Sequence, residues 1–320
     1  METKKEFVFA DEKPFKQCHA STVLALSDGE VLTAYFAGTR EKNPDVAIWL
    51  SRRSREGSWS APAVAADEAD IAHWNPVLFQ APDTGHIWLF YKVGHEIPEW
   101  FTRYIVSKDG GHTWSEPAEL VPGDIGGRGP VRNKPIVLRS GRWLAPASLE
   151  TKTDWDAFVD ISDDGGRTWR ERAVPLDRGQ LKGKGIIQPT LWEDAAGVHM
   201  LLRSTEGFVY RSGSADNGES WTEAHAIDLP NNNSGIDLAA AGDGRLYLVM
   251  NPVRGDWAAR TPLVLQQSED GGRTWREVLV LEDEPGEYSY PAIIADGGTL
   301  HLTYTWRRER IVYWRIDLGR

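Results

Sequence analysis

One octapeptide pattern recurs along the chain and constrains its fold more than any other feature. SKDGGHTW, SDDGGRTW, SADNGESW and SEDGGRTW end at Trp114, Trp169, Trp221 and Trp275, and a degenerate copy, SRRSREGSW, ends at Trp59. The steps between these tryptophans are 55, 55, 52 and 54 residues. A self-similar period of this size in a chain of 320 residues predicts about six units arranged as a propeller or a solenoid.

Short apolar runs separated by turn residues fill the space between the octapeptides. Runs rich in Val, Ile, Leu, Tyr and Trp alternate with Asp-Gly, Asn and Pro, which is typical of consecutive antiparallel strands. Six further segments mark the start of each unit: CHASTVL, HWNPVLF, VRNKPIVL, IIQPTLW, NSGIDLA and YSYPAII. Each unit is expected to hold four strands. The chain is therefore predicted to be all-β, a single six-bladed β-propeller domain of four-stranded antiparallel blades over residues 1–320.

Strand direction decides which segments meet at each end of such a propeller. If the first strand of each blade is innermost, the turns between the first and second strands and between the third and fourth strands lie on one face. The octapeptide occupies the turn between the third and fourth strands. Its Asp, Gly and Trp are therefore predicted to build this turn and to pack between sheets, and chemistry is expected at the opposite mouth.

The opposite mouth collects residues that enter each first strand or follow each second strand. The residues entering the first strands are His19, Asn75, Lys134, Gln188, Ser234 and Tyr288. Those following the second strands are Arg40, Asp45, Lys92, His95, Glu150, Arg203, Arg254, Arg260, Arg307 and Arg308. Several guanidinium groups converging on one pocket predict an anionic ligand, most simply a carboxylate.

These arginines belong to an acidic chain, with 47 Asp and Glu against 36 Lys and Arg and a net charge of -11. This excess disfavours binding of nucleic acid or of anionic membranes through the general surface. The single cysteine, Cys18, excludes an internal disulfide framework and a metal site built from several thiolates. The eight histidines show neither H-x-x-x-H nor H-x-H spacing, so no metal or cofactor is expected.

The amino-terminal segment METKKEFVFADEKPFK lacks the apolar core of a signal peptide. No window of the sequence approaches the length of apolar residues that spans a bilayer. A cytoplasmic location is therefore expected for this chain, and the sequence makes no prediction of its oligomeric state.

The octapeptides resemble the Asp boxes of the sialidases, or neuraminidases, and of their BNR-repeat relatives, over essentially the whole chain. The run HASTVLALSDGEVLTAYFAGTREKNPDVAIWLSRR is similar to the sialidase segment that begins Arg-Ile-Pro and reaches a catalytic Asp. The resemblance implies that Arg40 is the second-strand arginine and Asp45 the general acid/base. It also implies that Arg203 and Arg260 bind the substrate carboxylate and that Tyr288, in GEYSYPAI, is the nucleophile.

Two positions depart from the family's pattern. His19 stands where the family has its first arginine, and Gln188 stands where it has the glutamate that activates the tyrosine. A phenol with a pKa of about 10 is a poor nucleophile at neutral pH without a carboxylate to take its proton. The chain is therefore identified as a sialidase-like relative of the type called predicted neuraminidases. His19 is suited to proton transfer, and either Tyr288 or Tyr290 could act on the substrate.

The leading hypothesis is an exo-glycosidase of the exo-α-sialidase type that removes a terminal acidic sugar, either sialic acid or a related sugar acid. The predicted catalytic residues are Asp45, Tyr288, His19 and Gln188, and the predicted substrate-binding residues are Arg40, Arg203, Arg260, Asn75 and Lys134. The expected partner is an acidic glycan or glycoside. Tryptophans near the mouth could also contact a sugar ring, although most are expected to pack in the core: Trp74, Trp100, Trp155, Trp257 and Trp306.

Two other functions stay open at this point. A lyase acting on a uronate-containing glycan would use the arginines to neutralise the carboxylate, and His19 or a tyrosine to remove the proton next to it. The missing glutamate at Gln188 favours this alternative. The third hypothesis is a carbohydrate-binding propeller that performs no chemistry.

Overall fold

Six four-stranded antiparallel sheets surround one axis in a computed structural model that describes residues 1–319. In five of the sheets the strands follow one another in chain order, and in the sixth the first strand of the chain lies at the outer edge, beside the last strand. The predicted six-bladed β-propeller is confirmed.

The chain begins with β1 (Glu2–Phe7). Blade 1 consists of β2 (Gln17–Ala25), β3 (Val31–Gly38), β4 (Ala47–Arg53) and β5 (Ala63–Ala66). Blade 2 consists of β6 (His73–Gln80), β7 (Ile87–Val93), β8 (Phe101–Ser107) and β9 (Ala118–Glu119). Blade 3 consists of β10 (Ile136–Val137), β11 (Trp143–Glu150), β12 (Trp155–Ser162) and β13 (Arg170–Ala173).

Blade 4 consists of β14 (Ile186–Glu193), β15 (Val198–Ser204), β16 (Phe208–Ser214) and β17 (His225–Pro230). Blade 5 consists of β18 (Asp237–Ala240), β19 (Leu246–Met250), β20 (Leu263–Ser268) and β21 (Arg276–Glu282). Blade 6 consists of β22 (Tyr288–Asp296), β23 (Thr299–Trp306), β24 (Arg310–Asp317) and, on its outer edge, β1. Short 3-10 helices cover Ile97–Glu99 and Arg178–Gln180. No helix within residues 1–319 is long and apolar enough to cross a membrane.

The sixth blade differs from the expectation that every repeat supplies four consecutive strands. The last repeat supplies three strands, and β1 pairs antiparallel with β24, with Glu2 opposite Asp317 and Phe7 opposite Val312. The Glu6 carboxylate of β1 also accepts a hydrogen bond of 2.8 Å from Arg53 of blade 1. Both ends of the chain thus meet in one sheet, and backbone hydrogen bonds close the ring.

The octapeptides form the turns between the third and fourth strands of their blades. In the copy of blade 3, Asp164 Oδ1 accepts hydrogen bonds from the backbone N–H groups of Arg167 and Thr168 at 3.0 and 2.9 Å. Asp164 Oδ2 accepts a third from the Thr168 hydroxyl at 2.6 Å. The aspartate therefore satisfies the polar groups of the turn, as predicted from its sequence position.

Arginines of adjacent blades bind the carbonyl groups of these turns. Arg52 of blade 1 donates to Gly110 O of blade 2 at 2.7 Å. Arg211 of blade 4 donates to Gly271 O of blade 5 at 3.0 Å. The octapeptide turns therefore join neighbouring blades as well as neighbouring strands, which gives the motif a structural role on the face away from the candidate site.

Removal of a turn carboxylate is expected to lower stability in a pH-dependent way. Hydrogen bonds from the Thr168 hydroxyl and backbone lower the pKa of Asp164 to about 2. This contribution is present above the ordinary Asp pKa and is lost as pH falls through the folded-state value. Asp164→Ala should therefore lower the thermal midpoint by a few degrees at neutral pH, and the difference from wild type should shrink in acid. A difference in thermal midpoint that stays constant as the pH falls to the folded-state pKa of about 2 would contradict stabilisation by the ionised carboxylate.

An ion pair between the partly exposed Lys134 and the buried Asp237 joins four blades near the axis. Lys134 donates to both carboxylate oxygens of Asp237 at 3.0 Å and to Leu238 O at 2.8 Å. Asp237 also accepts hydrogen bonds from the Thr190 hydroxyl and from the backbone of Ile293. All three ammonium hydrogens of Lys134 are thus used within the fold, which leaves none for the substrate-binding role predicted from the sequence.

Lys134→Met is expected to lower the free energy of unfolding by about 3–5 kcal/mol, because it leaves the Asp237 carboxylate buried without its cation. Urea unfolding followed by tryptophan fluorescence measures the change. Lys108→Met, in an exposed octapeptide turn, is the matched control and should unfold like wild type. Equal unfolding midpoints for Lys134→Met and wild type would show that the ion pair does not stabilise the ring.

Candidate functional site

Near the start of each blade, at the mouth where the first strands begin, one residue has a left-handed backbone conformation with a positive φ angle. The φ angles of these residues lie between 42° and 68°, and none is glycine: Ala20, Asn75, Arg132, Gln188, Asn233 and Tyr290. In β2, β6, β14 and β22 the strand pairing shifts register at this position. Such a bulge breaks the alternation of side chains along a strand, so the spacing of two residues does not predict which side chains share a face.

Tyr290 lies in the mouth because of this bulge. Its hydroxyl accepts a hydrogen bond of 2.8 Å from Arg203 Nη1, and its ring centre lies 4.2 Å from that of His19. The Arg260 guanidinium carbon lies 5.5 Å from the same ring. Tyr290 is partly exposed, and it lies beside two arginines.

Tyr288 lies elsewhere. It is 1% exposed and packs in the hydrophobic core that blades 5 and 6 share, and its hydroxyl accepts a hydrogen bond from Arg307 at 3.2 Å. The structure therefore places Tyr290, and not the predicted Tyr288, beside Arg203. The reason is the register shift between Ser289 and Ala292, which the sequence pattern did not show.

Arg203, at the end of β15, is a buried guanidinium with no carboxylate partner in the described part of the chain. It is 2% exposed. Its hydrogen bonds go to neutral groups: Asn233 Oδ1 at 2.7 Å, Gln188 Oε1 at 3.2 Å and the Tyr290 hydroxyl. A buried cation without an anion is costly, so this side chain is suited to bind an anionic group of a ligand.

Two further arginines share carboxylates beside Tyr290. Glu287 Oε1 accepts hydrogen bonds of 2.7 Å from both Arg260 Nη1 and Arg308 Nε. Arg308 Nη1 donates to Glu41 Oε2, also at 2.7 Å. Arg203, Arg260 and Arg308 are called the arginine cluster below. Within it, three guanidinium groups face two carboxylates, which leaves one positive charge.

Burial, together with the same arginines, keeps His19 neutral. Burial lowers the pKa of His19 well below its ordinary value, and the positive charges of Arg308 and Arg260 lower it further. His19 Nδ1 lies 2.9 Å from the Thr305 hydroxyl, and Nε2 has no hydrogen-bond partner among the described residues. His19 is therefore a neutral imidazole beside the arginine cluster, and its Nε2 atom has no hydrogen-bond partner in this part of the chain.

A cavity of about 500 Å³ opens beside the arginine cluster, between loops of blades 1 to 3 and the segment before β14. Trp155 lines this cavity and lies 5.5 Å from the Arg203 guanidinium, whereas none of the three arginines of the cluster is itself a lining residue. Its charged lining includes Glu150, Lys152 and Lys184. Trp257, 64% exposed, covers the other side of Arg203 at 5.7 Å. Cation and indole surfaces thus lie together at the mouth.

Arg40 and Asp45 lie outside this group. Both are exposed in the loop between β3 and β4, and Arg40 forms no ion pair with any residue in 1–319. Asp45 Oδ2 accepts a hydrogen bond of 2.8 Å from the backbone of Thr39 and lines a separate pocket with Lys13. The structure therefore places the predicted acid/base and one predicted arginine at the rim, whereas Arg308 shares the Glu287 carboxylate with Arg260.

The other predicted residues are distributed as follows. Asn75 is buried at the bulge of β6 and makes no side-chain hydrogen bond to the described residues. Trp74 and Trp100 are buried in the core, and Trp306 is partly buried against it. Only Trp155 and Trp257 of the five tryptophans flank the arginine cluster. In residues 1–319, no three His, Cys, Asp or Glu side chains are grouped to hold a metal ion.

Arg308, Glu150 and Glu287 were not among the predicted site residues. Arg308 and Glu150 were expected at the mouth because each follows a second strand, and this was the available signal. Glu287, directly before β22, was not singled out. It bonds Arg260 and Arg308, which lie 27 and 21 positions away in the sequence. No local sequence pattern indicates such pairs.

Comparison with known proteins gives a family and a fold. The model of the family described as BNR repeat-like domain matches residues 29–302 of the chain. A sialidase from Micromonospora viridifaciens is 29% identical over 220 residues, which are 62% of this chain and 32% of that protein. The match thus spans about a third of the length of that relative.

Solved structures match the fold over nearly the whole chain. A protein of unknown function from Dyadobacter fermentans has a TM-score of 0.78 at 16% identity, with 99% of each chain covered. A sialidase from Trypanosoma rangeli has a TM-score of 0.77 at 13% identity, covering 98% of this chain and 59% of that one. At such identities the likeness shows the propeller fold alone.

Proposed function

Because the chain belongs to the BNR repeat-like domain family, we propose that it is a sialidase-type exo-glycosidase that cleaves a terminal acidic sugar at the arginine cluster. The relationship to a sialidase supports a sialidase-type function at the level of the family. The observation that carries the specific proposal is Arg203, a buried guanidinium that no carboxylate of the described chain pairs with, next to a cavity of about 500 Å³.

A substrate carboxylate suits the charge of the arginine cluster. Glu287 and Glu41 neutralise two of the three guanidinium groups, so one carboxylate balances the third. Nη2 is the one guanidinium nitrogen of Arg203 that donates to no described residue, and its two N–H groups are left to bind a carboxylate oxygen by charge-assisted hydrogen bonds. The buried position of Arg203 strengthens this interaction, because nearby water does not screen it.

The adjoining cavity fits the body of a sugar. Ligand pockets commonly have volumes of roughly 300–1,000 Å³ with aromatic walls and a few polar groups, and this cavity has about 500 Å³ with Trp155 in its wall. The exposed ring of Trp257 offers a second apolar surface at the entrance. In this proposal, Trp155 and Trp257 contact the sugar ring and the lysines at the rim contact its hydroxyl groups.

Tyr290 is the proposed group beside the anomeric carbon. Its hydroxyl is held by Arg203 at 2.8 Å, and a hydrogen bond from a guanidinium favours negative charge on the oxygen it binds. Gln188 contributes through its amide oxygen, which accepts from the same arginine at 3.2 Å. Tyr290 can therefore stabilise the positive charge that develops at the anomeric carbon through contact with its oxygen.

Elimination is a second candidate reaction, and one observation favours it. The His19 ring is neutral, is 4.2 Å from the Tyr290 ring between centres, and has a free Nε2. Such an imidazole can remove a proton next to a carboxylate that the arginines hold. The substrate would then be a glycan containing a uronate, and Tyr290 would protonate the leaving oxygen.

A panel of aryl glycosides of sialic acid and related sugar acids, together with uronate oligosaccharides, tests the proposal. Release of the aryl group with the free sugar acid is the expected result. An unsaturated product detected by its ultraviolet absorbance would favour elimination. Saturable binding of an acidic sugar without any product would indicate a binding propeller, and absence of both turnover and binding would overturn the proposed function.

A further inference from the structure

Besides Glu41, two carboxyl groups lie beside the arginine cluster, Glu287 and Glu150, and their surroundings differ. Glu287 is bonded to Arg260 and Arg308. Although burial opposes it, these two positive charges hold the pKa of Glu287 below its ordinary range. Glu287 therefore stays ionised as the counter-ion of Arg260 and Arg308, and it is not suited to donate a proton.

Glu150, the last residue of β11, has no such partner. It is 6% exposed and lines the cavity of about 500 Å³. Its Oε1 atom is buried without a hydrogen bond to any described residue. A buried carboxyl group in a fixed structural role is normally paired on both oxygens, so the unpaired oxygen shows that the fold does not fully use this carboxyl group, which also lines the cavity.

Several charged groups face Glu150 from the elements packed around it. They are Arg203 on β15, Lys92 on β7 and Lys184 before β14, and the Gln188 side chain on β14 also contacts it. Burial outweighs them and raises the pKa of Glu150 above its ordinary value. Lys92 is itself occupied by Gly127 O and Arg128 O at 3.0 and 2.8 Å. Glu150 can therefore be protonated more easily than a surface carboxyl group.

We propose that Glu150 is the acid–base catalyst of this site, exchanging a proton with the glycoside and with water inside the cavity. The inference rests on the proposed function. It replaces the role that the sequence assigned to Asp45, whose carboxylate is exposed and hydrogen-bonded to Thr39 at the rim.

The proton balance of the reaction is simple. As the bond between the anomeric carbon and the leaving oxygen breaks, the electron pair goes to that oxygen, which takes the proton from Glu150. Water then forms a bond to the anomeric carbon and gives one proton to the Glu150 carboxylate. The net reaction consumes one water and releases the sugar acid and an alcohol, and Glu150 returns to its protonated form.

Glu150→Gln tests this step, because the amide keeps the shape of the side chain and cannot transfer the proton. Two substrates are compared: an aryl glycoside, whose leaving group needs little protonation, and an acidic oligosaccharide, whose leaving group needs a proton. The expected loss of kcat is about 10³-fold on the oligosaccharide and under about 10-fold for aryl release. Glu116→Gln, an exposed carboxylate on the octapeptide face, is the matched control and should behave like wild type.

The pH profile separates a catalytic role from a structural one. In wild type, kcat on the oligosaccharide should fall as pH rises through the Glu150 titration, because only the protonated form donates. Glu150→Gln should lose this limb and keep its affinity for the free sugar acid. If the Gln variant does not fold, Glu150→Asp should fold, lose activity and show a displaced limb. An Asp variant with an unchanged limb would overturn the inference.

The results distinguish the two proposals. Wild-type turnover together with Glu150→Gln activity that is unchanged, or reduced equally on both substrates, would overturn the role of Glu150 and leave the proposed function standing. A wild-type protein inactive on both substrates would overturn the proposed function, and the role of Glu150 with it.

Discussion

Arg203→Met is expected to reduce kcat/KM for an acidic glycoside by about 10²- to 10³-fold and to weaken binding of the free sugar acid similarly. Loss of one member of a buried charge pair costs about 2–5 kcal/mol, and each 1.4 kcal/mol corresponds to about tenfold in affinity. Arg203 is buried, and its bonds within the fold go to neutral groups. The substrate carboxylate would therefore be its main ionic partner.

Steady-state kinetics and calorimetric titration measure this effect. Arg254→Met is the matched control, since Arg254 stacks on Phe208 at 4.1 Å in the neighbouring loop and takes no part in the cluster. Arg203→Lys keeps the charge and loses the planar guanidinium that bonds Asn233, Gln188 and Tyr290, so its activity should lie between those of wild type and Arg203→Met. Wild-type affinity in the Met variant would show that the carboxylate is bound elsewhere.

Tyr290→Phe is expected to lower kcat by about 10²- to 10⁴-fold, because it removes the hydroxyl proposed to lie beside the anomeric carbon. Tyr288→Phe should retain activity within a few-fold, since Tyr288 is buried in the core and its hydroxyl contacts Arg307. The two variants make the same chemical change two residues apart. Parallel kinetics and thermal unfolding of both variants separate catalysis from stability.

Three outcomes of this comparison are informative. Loss of activity in Tyr290→Phe alone supports the site as described. Loss in Tyr288→Phe alone would contradict it and would return the role to the residue that the sequence pattern favours. Full activity in both variants would remove the phenol from the mechanism.

The propeller could be predicted from the sequence because each blade carries a recognisable repeat of the same sequence pattern. The tryptophans that end the octapeptides recur every 52 to 55 residues, and each lies after a turn between two strands. The parity of the strands also placed Arg203 and Arg260 at one mouth, where the structure brings both to Tyr290. The strand β1, which closes the ring, lies outside the repeats, so the repeat pattern did not predict its pairing with β24.

The site was harder to predict because it depends on local backbone geometry and on distant pairs. Tyr290 adopts a left-handed φ of 53°, a conformation that no residue type other than glycine signals reliably. The bulge at this position decides which tyrosine reaches the arginines. Lys134 was expected to bind substrate, and its pairing with Asp237, 103 residues away, has no signature in the local sequence.

The place of Arg308 beside Arg260 was equally hard to predict from the local sequence. A sequence match placed a guanidinium at Arg40, in the loop after the second strand of blade 1, whereas the structure supplies it from the turn after the second strand of blade 6. Glu41 and Glu287 hold Arg308 in place at 2.7 Å each. Residues from opposite ends of the sequence meet here because blade 6 lies next to blade 1 once the ring is closed.

The most direct test is a calorimetric titration of wild-type protein with the acidic sugar of its best substrate and with the methyl ester of that sugar. The arginine cluster predicts that the free acid binds at one site and that the ester, which lacks the charge, binds about 100-fold more weakly. The Arg203→Met variant should bind both forms equally weakly. Equal affinity of the wild-type protein for acid and ester would contradict recognition of a carboxylate by Arg203, Arg260 and Arg308.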